Sequence, residues 1–295
     1  MNFYQLVYFK KVAETASISR AAEELLLTQP AVSKQIKALE IELGERLFDR
    51  LGKRLFLTRS GEILYARAEK ILQSVDEARS AVKDMSAECA GELIIGTSDH
   101  ISIHRLPGIL KAFITSFPKV DLKLRCHRSE TVLEMVSRNM VDLGVITLPK
   151  AQSHIVSKSI WTDPMSLVCQ KHHPLGSLKT LRLKDTVRYG MILPDATTET
   201  RQMIEAAYRN KKLTINVTME VAYIETIKSL VKSGLGISIL PDKAIEDEVK
   251  NGSLLKSKLA DTAFTRSLGT VYLKDKYLSR PAREFLALLE QNSKH

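Results

Sequence analysis

Residues 17–50, SISRAAEELLLTQPAVSKQIKALEIELGERLFDR, hold two amphipathic helical runs with only three residues between them. Ile18, Ala21, Ala22 and Leu25 recur at helical spacing, and the pattern breaks at Leu26-Leu27-Thr28. Val32, Ile36, Leu39 and Leu43 then return at steps of four, three and four, which predicts one buried stripe on a second helix. Thr28 is the expected N-cap, its hydroxyl accepting a free backbone N–H. Pro30 falls in the first turn, where a missing N–H costs little, and Gly44 ends the run. Two short helices around a tight turn form a helix-turn-helix. The second helix, about 22 Å long, can lay its polar face of Gln29, Ser33, Lys34 and Lys37 in a DNA major groove. Gln29 is the expected base reader, because its amide matches the N6/N7 edge of adenine; Ser33, Lys34 and Lys37 can reach base edges or phosphate. LFDR and RLFLT, on either side of LGK, then read as a β-hairpin wing carrying Arg46, Arg50, Lys53, Arg54 and Arg59. Alone, such a hairpin could equally be a solvated charged surface; beside a helix-turn-helix it suits phosphate or minor-groove contact.

Net charge does not locate this interface. The chain of 295 residues carries +10, yet residues 1–90 hold 14 Lys/Arg against 13 Asp/Glu, so the excess lies beyond them. A basic C-terminal part fits an anionic ligand and equally a merely basic surface. Cys89, Cys126 and Cys169 are odd in number and widely spaced, which points neither to a disulfide framework nor to a zinc ribbon. Nothing in the sequence shows a lowered thiol pKa, so small buried hydrophobes are the first reading and a redox switch between two of them the lesser one. No Ser-centred elbow, Walker loop or dinucleotide fingerprint is present, and the expectation is a non-enzyme without cofactor or metal. His100, His104 and Asp99 imitate half a metal site, but no third ligand follows at a suitable spacing. No apolar run approaches a membrane span and the N-terminus lacks a cleavable-signal pattern, so a cytoplasmic location is expected.

Residues 3–14 read as a scaffold helix with Leu6, Phe9 and Ala13 inward. After Gly61 there is no Gly or Pro up to about Glu88, and Leu64, Ala68, Ile71, Val75, Ala78, Val82 and Met85 repeat at alternating steps of four and three. That is an a/d seam, which predicts a dimerising helix in preference to an intramolecular one. Two heads held at a fixed spacing would read an inverted repeat. Beyond Ala90-Gly91, β-like and helical runs alternate: 92–96, 102–117, 120–126, 131–139 and 141–147, then a second unit through 165–170, 190–193, 201–208, 213–220, 225–233, 236–240 and 243–250. Residues 267–273 and 282–291 close the chain, and the order predicts parallel sheet covered by helices.

The head, AAEELLLTQPAVSKQIKALEIELGERLFDR followed by LTRSG, resembles the LysR-type bacterial transcriptional regulators nearly position by position, and the likeness extends along the whole chain. Thr28 stands where that family more often has Ser, which keeps a capping hydroxyl. The resemblance implies a winged helix-turn-helix head (1–58), a dimerising linker helix (59–89), antiparallel to its partner, and an effector-binding domain (90–295). That last part would have two α/β lobes, similar to periplasmic solute-binding proteins: about 90–161 with 267–295, and about 162–266. The implied partners are promoter DNA, a small-molecule effector and further copies of the chain as a dimer or tetramer, with RNA polymerase as an additional candidate.

In open α/β sheets small molecules bind beyond the carboxyl ends of strands, often at helix N-termini. That rule selects 96–100, Thr147 and 195–200. The resemblance points to Ser98, His100, Thr147 and Thr198, with Tyr223 near the same cleft. Taken singly, Ser98, Thr197 or Thr200 is more simply a helix cap; converging on one interlobe cleft, the set points to effector binding. A cationic His100 beside Arg105, facing an anion, is the expected chemistry, with a solvated surface pair of His100 and His104 as the competing reading. The alternatives are an effector-independent DNA-binding regulator and a solute-binding module with a basic head.

Overall fold

The computed structural model describes residues 1–51, 54–83, 88–178 and 180–292, and the chain divides into two compact units, Met1–Ser86 and Ala87–His295. The first opens with α1 (Phe3–Thr15), started by a capping box between Asn2 and Gln5. After α2 (Ile18–Glu24) and α3 (Gln29–Leu43) come the paired strands β1 (Phe48–Leu51) and β2 (Arg54–Leu57), then α4 (Arg59–Lys83). Leu6, Phe9 and Val12 of α1 meet Ala21, Ala22, Val32, Ile36 and Leu39 in one core. Val12 therefore takes the inward place expected for Ala13. Leu43 is also corrected: at 40% exposure it leaves the buried stripe, because α3 has by then run past the head and ends at Gly44, whose φ of 69° suits a residue without Cβ.

The seam of α4 serves two surfaces. Ala68 is fully buried in the head core, with Leu64 packed beside it. Further along, Ile71, Val75, Ala78 and Val82 line an open apolar groove, Val82 being 70% exposed. The expected continuous seam thus starts only after the first turns have been used inside the head. Met85 lies outside the described residues.

The second unit begins with β3 (Gly91–Thr97), α5 (Asp99–His104), α6 (Pro107–Ser116), β4 (Val120–Cys126), α7 (Ser129–Ser137) and β5 (Leu143–Thr147). One helix was expected over 102–117. Pro107 offers no N–H and disfavours helix at the residue before it, so the run divides into α5 and α6. Next comes β6 (Ile155–Gln170), far longer than the 165–170 segment read from sequence, followed by β7 (Met191–Leu193), α8 (Glu199–Asn210), β8 (Val217–Glu220), α9 (Ile224–Lys232) and β9 (Ser238–Pro241). A 3-10 turn at Asp242–Ile245 leads into α10 (Glu246–Lys250) where one helix was expected; β10 (Leu254–Ser257), β11 (Phe264–Leu273) and α11 (Arg280–Gln291) complete the chain.

Strands β4, β3 and β5 are parallel, whereas β11 runs antiparallel to both β5 and β6. The strands expected at 92–96, 120–126 and 141–147 are thus parallel as read, and β11 and β6 make the sheet mixed. The reason is that β6 and β11 carry the chain between lobes in opposite directions. The first half of β6 pairs with β11 in the lobe built on Leu93, Ile95, Phe113 and Phe285; its second half pairs with β9 and β10 in the lobe built on Leu167, Ile204, Tyr208 and Ile239. Their register shifts at Leu268/Gly269, where a Cβ on Gly269 would lie 2.0 Å from the Lys158 carbonyl oxygen. Only glycine allows this close crossing.

Candidate functional site

The turn between α2 and α3 leaves the N-terminal end of α3 open. Thr28, Gln29, Pro30, Lys34 and Lys37 are exposed and Ser33 is half-buried, opposite the buried Val32, Ile36 and Leu39. Thr28 occupies the N-cap, but its hydroxyl makes no capping hydrogen bond, which leaves that oxygen for another donor. In the hairpin the backbones of Arg50 and Arg54 are strand, paired with Leu55 and Leu51; their side chains, and the whole of Lys53, lie outside the described residues. Arg59 is not a wing residue: it opens α4 and pairs with Glu62 at 3.2 Å.

In the second unit, a cavity of about 480 Å³ lies between the lobes. Ser98, His100, Thr147, Thr197, Thr198 and Tyr223 all line it. Ser98, Thr198 and Tyr223 are the N-caps of α5, α8 and α9, and the first turn of α7 joins them through Ser129 and Glu130. Their hydroxyls differ in availability. Thr198 Oγ1 donates to the Asp195 carbonyl at 2.8 Å and accepts from Arg201 N at 3.2 Å, so it is committed to capping. Ser98 makes no capping hydrogen bond.

Behind this wall sits a charged cluster that sequence reading largely missed. Asp163 on β6 is completely buried, with Oδ1 3.3 Å from Arg105 and Oδ2 2.5 Å from Arg266, and Arg266 also donates to Thr200 Oγ1 at 3.2 Å. Burial alone would raise the Asp163 carboxyl. The adjoining His100 and the Arg266 guanidinium outweigh it and hold the group well below the usual carboxylate range. His100 is 3% exposed; desolvation lowers its pKa, with Asp163 opposing. Burial thus works against the cationic form expected for His100. Its Nε2 stands 3.4 Å from Asp163 Oδ2, in a contact too poorly aligned for a hydrogen bond, and neither ring nitrogen has a hydrogen-bond partner. Arg266, which also lines the cavity, has an unpartnered Nε. A period-two signal was available: Asp163 falls between Trp161 and Met165, and Arg266 between Phe264 and Leu268, on the inward faces of their strands.

Across the cleft, Arg128 at the start of α7 pairs with Asp195 after β7, and His104 of α5 hydrogen-bonds Glu225 of α9 at 2.9 Å. Of the cysteines, Cys89 and Cys169 are buried and Cys126 is exposed; burial pushes the Cys169 thiol up to about 11, which removes thiolate character at neutral pH. No helix among the described residues is long and apolar enough to cross a membrane.

A winged helix-turn-helix is thus followed by a two-lobed α/β domain with an interlobe cavity. Residues 3–62 match the model of the bacterial regulatory helix-turn-helix protein, lysR family, and residues 86–294 that of the LysR substrate binding domain. The chain belongs to the LysR family of transcriptional regulators. It is 34% identical over 287 residues to the HTH-type transcriptional regulator CfxR of Cupriavidus necator, covering 96% of this chain and 89% of that protein. The HTH-type transcriptional activator CmpR of Synechocystis is 29% identical over 288 residues, with 98% and 94% covered. Full-length OxyR of Pseudomonas aeruginosa shares the fold with a TM-score of 0.77 at 22% identity, with 100% and 95% covered.

Proposed function

We propose that a small anionic effector enters the interlobe cavity and changes how paired heads engage promoter DNA, with α3 reading the bases. The observation that carries the anionic class is the convergence of the first turns of α7, α8 and α9 on one cavity whose floor is Arg266 with a free Nε. Helix N-termini and an incompletely paired guanidinium both favour negative charge. For the head, exposed Gln29, Lys34 and Lys37 on a single helix face support groove entry. The open groove of Ile71, Val75, Ala78 and Val82 supports pairing through α4.

Binding of the full chain to DNA enriched from a random pool, titrated against salt, tests the head. Lys34→Ala weakens binding to all sequences alike and reduces the salt slope by about 1 if it neutralises a phosphate, whereas Gln29→Ala costs about 1–3 kcal/mol on the preferred sequence and relaxes the choice at one position. An unchanged base preference in Gln29→Ala removes it as a reader. For the cleft, stabilisation of the full chain by small carboxylates or phosphate, weakened in Ser98→Ala, is the expected result.

A further inference from the structure

The cavity walls are not uniformly suited to an anion. Glu130, the second residue of α7, lines the cavity, and its Oε2 is wholly enclosed without a hydrogen-bond partner. A carboxylate at a helix start is favoured by the helix dipole, but that leaves the oxygen unsatisfied. Leaving an enclosed acceptor oxygen without a donor is costly. Elsewhere on the lining stands the opposite complement: the imidazole N–H of His100, 3% exposed, and the Nε–H of Arg266, 7% exposed, each without a hydrogen-bond partner. Arg128, another cation on the wall, is already engaged by Asp195. A simple polyanion would satisfy the floor and meet repulsion at Glu130.

We infer that the effector is a small acid that also carries a hydrogen-bond donor, a hydroxyl or an ammonium, with its acid group at Arg266 and His100 and its donor received by Glu130. This inference rests on the anionic-effector reading and adds Glu130 as the residue that selects among acids. A site built around a buried acceptor rejects an analogue lacking the matching donor, because the acceptor is then left unpaired.

Titration calorimetry on the full chain with three matched triples tests it: propionate, lactate and alanine; succinate, malate and aspartate; 3-phenylpropionate, 3-phenyllactate and phenylalanine. In at least one triple a donor-bearing member should bind about ten- to hundredfold tighter than the plain acid. Glu130→Leu should erase that preference and leave the plain acid bound as well or better. Glu130→Gln, which keeps an acceptor oxygen but no charge, should retain a preference for hydroxyl and lose one for ammonium. Plain acids binding as tightly as their counterparts, or a preference surviving in Glu130→Leu, overturns the inference while leaving the anionic reading standing. Failure of every acid to bind the unmodified chain overturns both.

Discussion

Asp163→Ala is expected to destabilise the second unit by about 3–5 kcal/mol, a large part of the total for a domain of this size. The carboxylate is completely buried and both of its oxygens meet guanidinium groups, from Arg105 and Arg266. Its removal leaves two cations facing each other where β6 and β11 cross between lobes. Chemical denaturation of the full chain should show the transition of residues 87–295 at lower denaturant. The double variant Asp163→Ala, Arg266→Met should recover part of the loss, because one of the stranded charges is then gone. A single variant within about 1 kcal/mol of the parent would show that the cluster contributes little. The same groups set the acid response. The folded pKa of His100 is lowered, so its contribution is fully present above the unfolded value near 6.5 and declines as pH falls below it. The folded pKa of Asp163 is also lowered, so its contribution is present above about 3.9 and is lost at more acid pH. Stability should therefore fall in two stages on acidification, the second of them absent in an Asp163→Asn variant.

Val75→Glu should raise the dissociation constant of the proposed dimer about a hundredfold or more. Val75 lies at the middle of the apolar groove on α4, between Ile71 and Ala78. In a two-fold interface each substitution occurs twice, and an unpaired charge buried there costs about 3 kcal/mol or more. Residues 1–70 keep their own core through Phe9, Val32, Leu39 and Ala68, so the head should stay folded and its circular dichroism unchanged. Sedimentation velocity should then report monomer at concentrations where the parent self-associates, and affinity for a two-half-site operator should collapse toward that of one head. An unaltered association state in Val75→Glu would move the interface elsewhere.

The head was legible because its signals are local. Helical spacing placed Val32, Ile36 and Leu39, and Gly44 marked the end of α3. The spacing carried one residue too far, to Leu43, because periodicity does not reveal where the core stops. In the second unit the strand-helix alternation was readable, but not the reach of β6: sixteen residues spanning two lobes produce no repeat that a short window detects. The strand-end rule and the family resemblance together found Ser98, Thr147 and Thr198, since cleft position follows from topology. Asp163 and Arg266 are separated by about a hundred residues, and only pairing of β6 with β11 brings them together. His100 was found, but not the burial that disfavours its cationic form, because desolvation is a property of the folded wall and not of its neighbours in sequence.

Effector and DNA must act on one equilibrium if this chain is a ligand-responsive regulator, and linkage makes that demand reciprocal. The decisive measurement is the affinity of a cleft-binding acid for the full chain, by calorimetry, with and without saturating operator DNA. The two dissociation constants should differ severalfold, by the same factor by which the acid changes operator affinity. Equal values, with DNA binding indifferent to the acid, would show a cleft that binds without regulating.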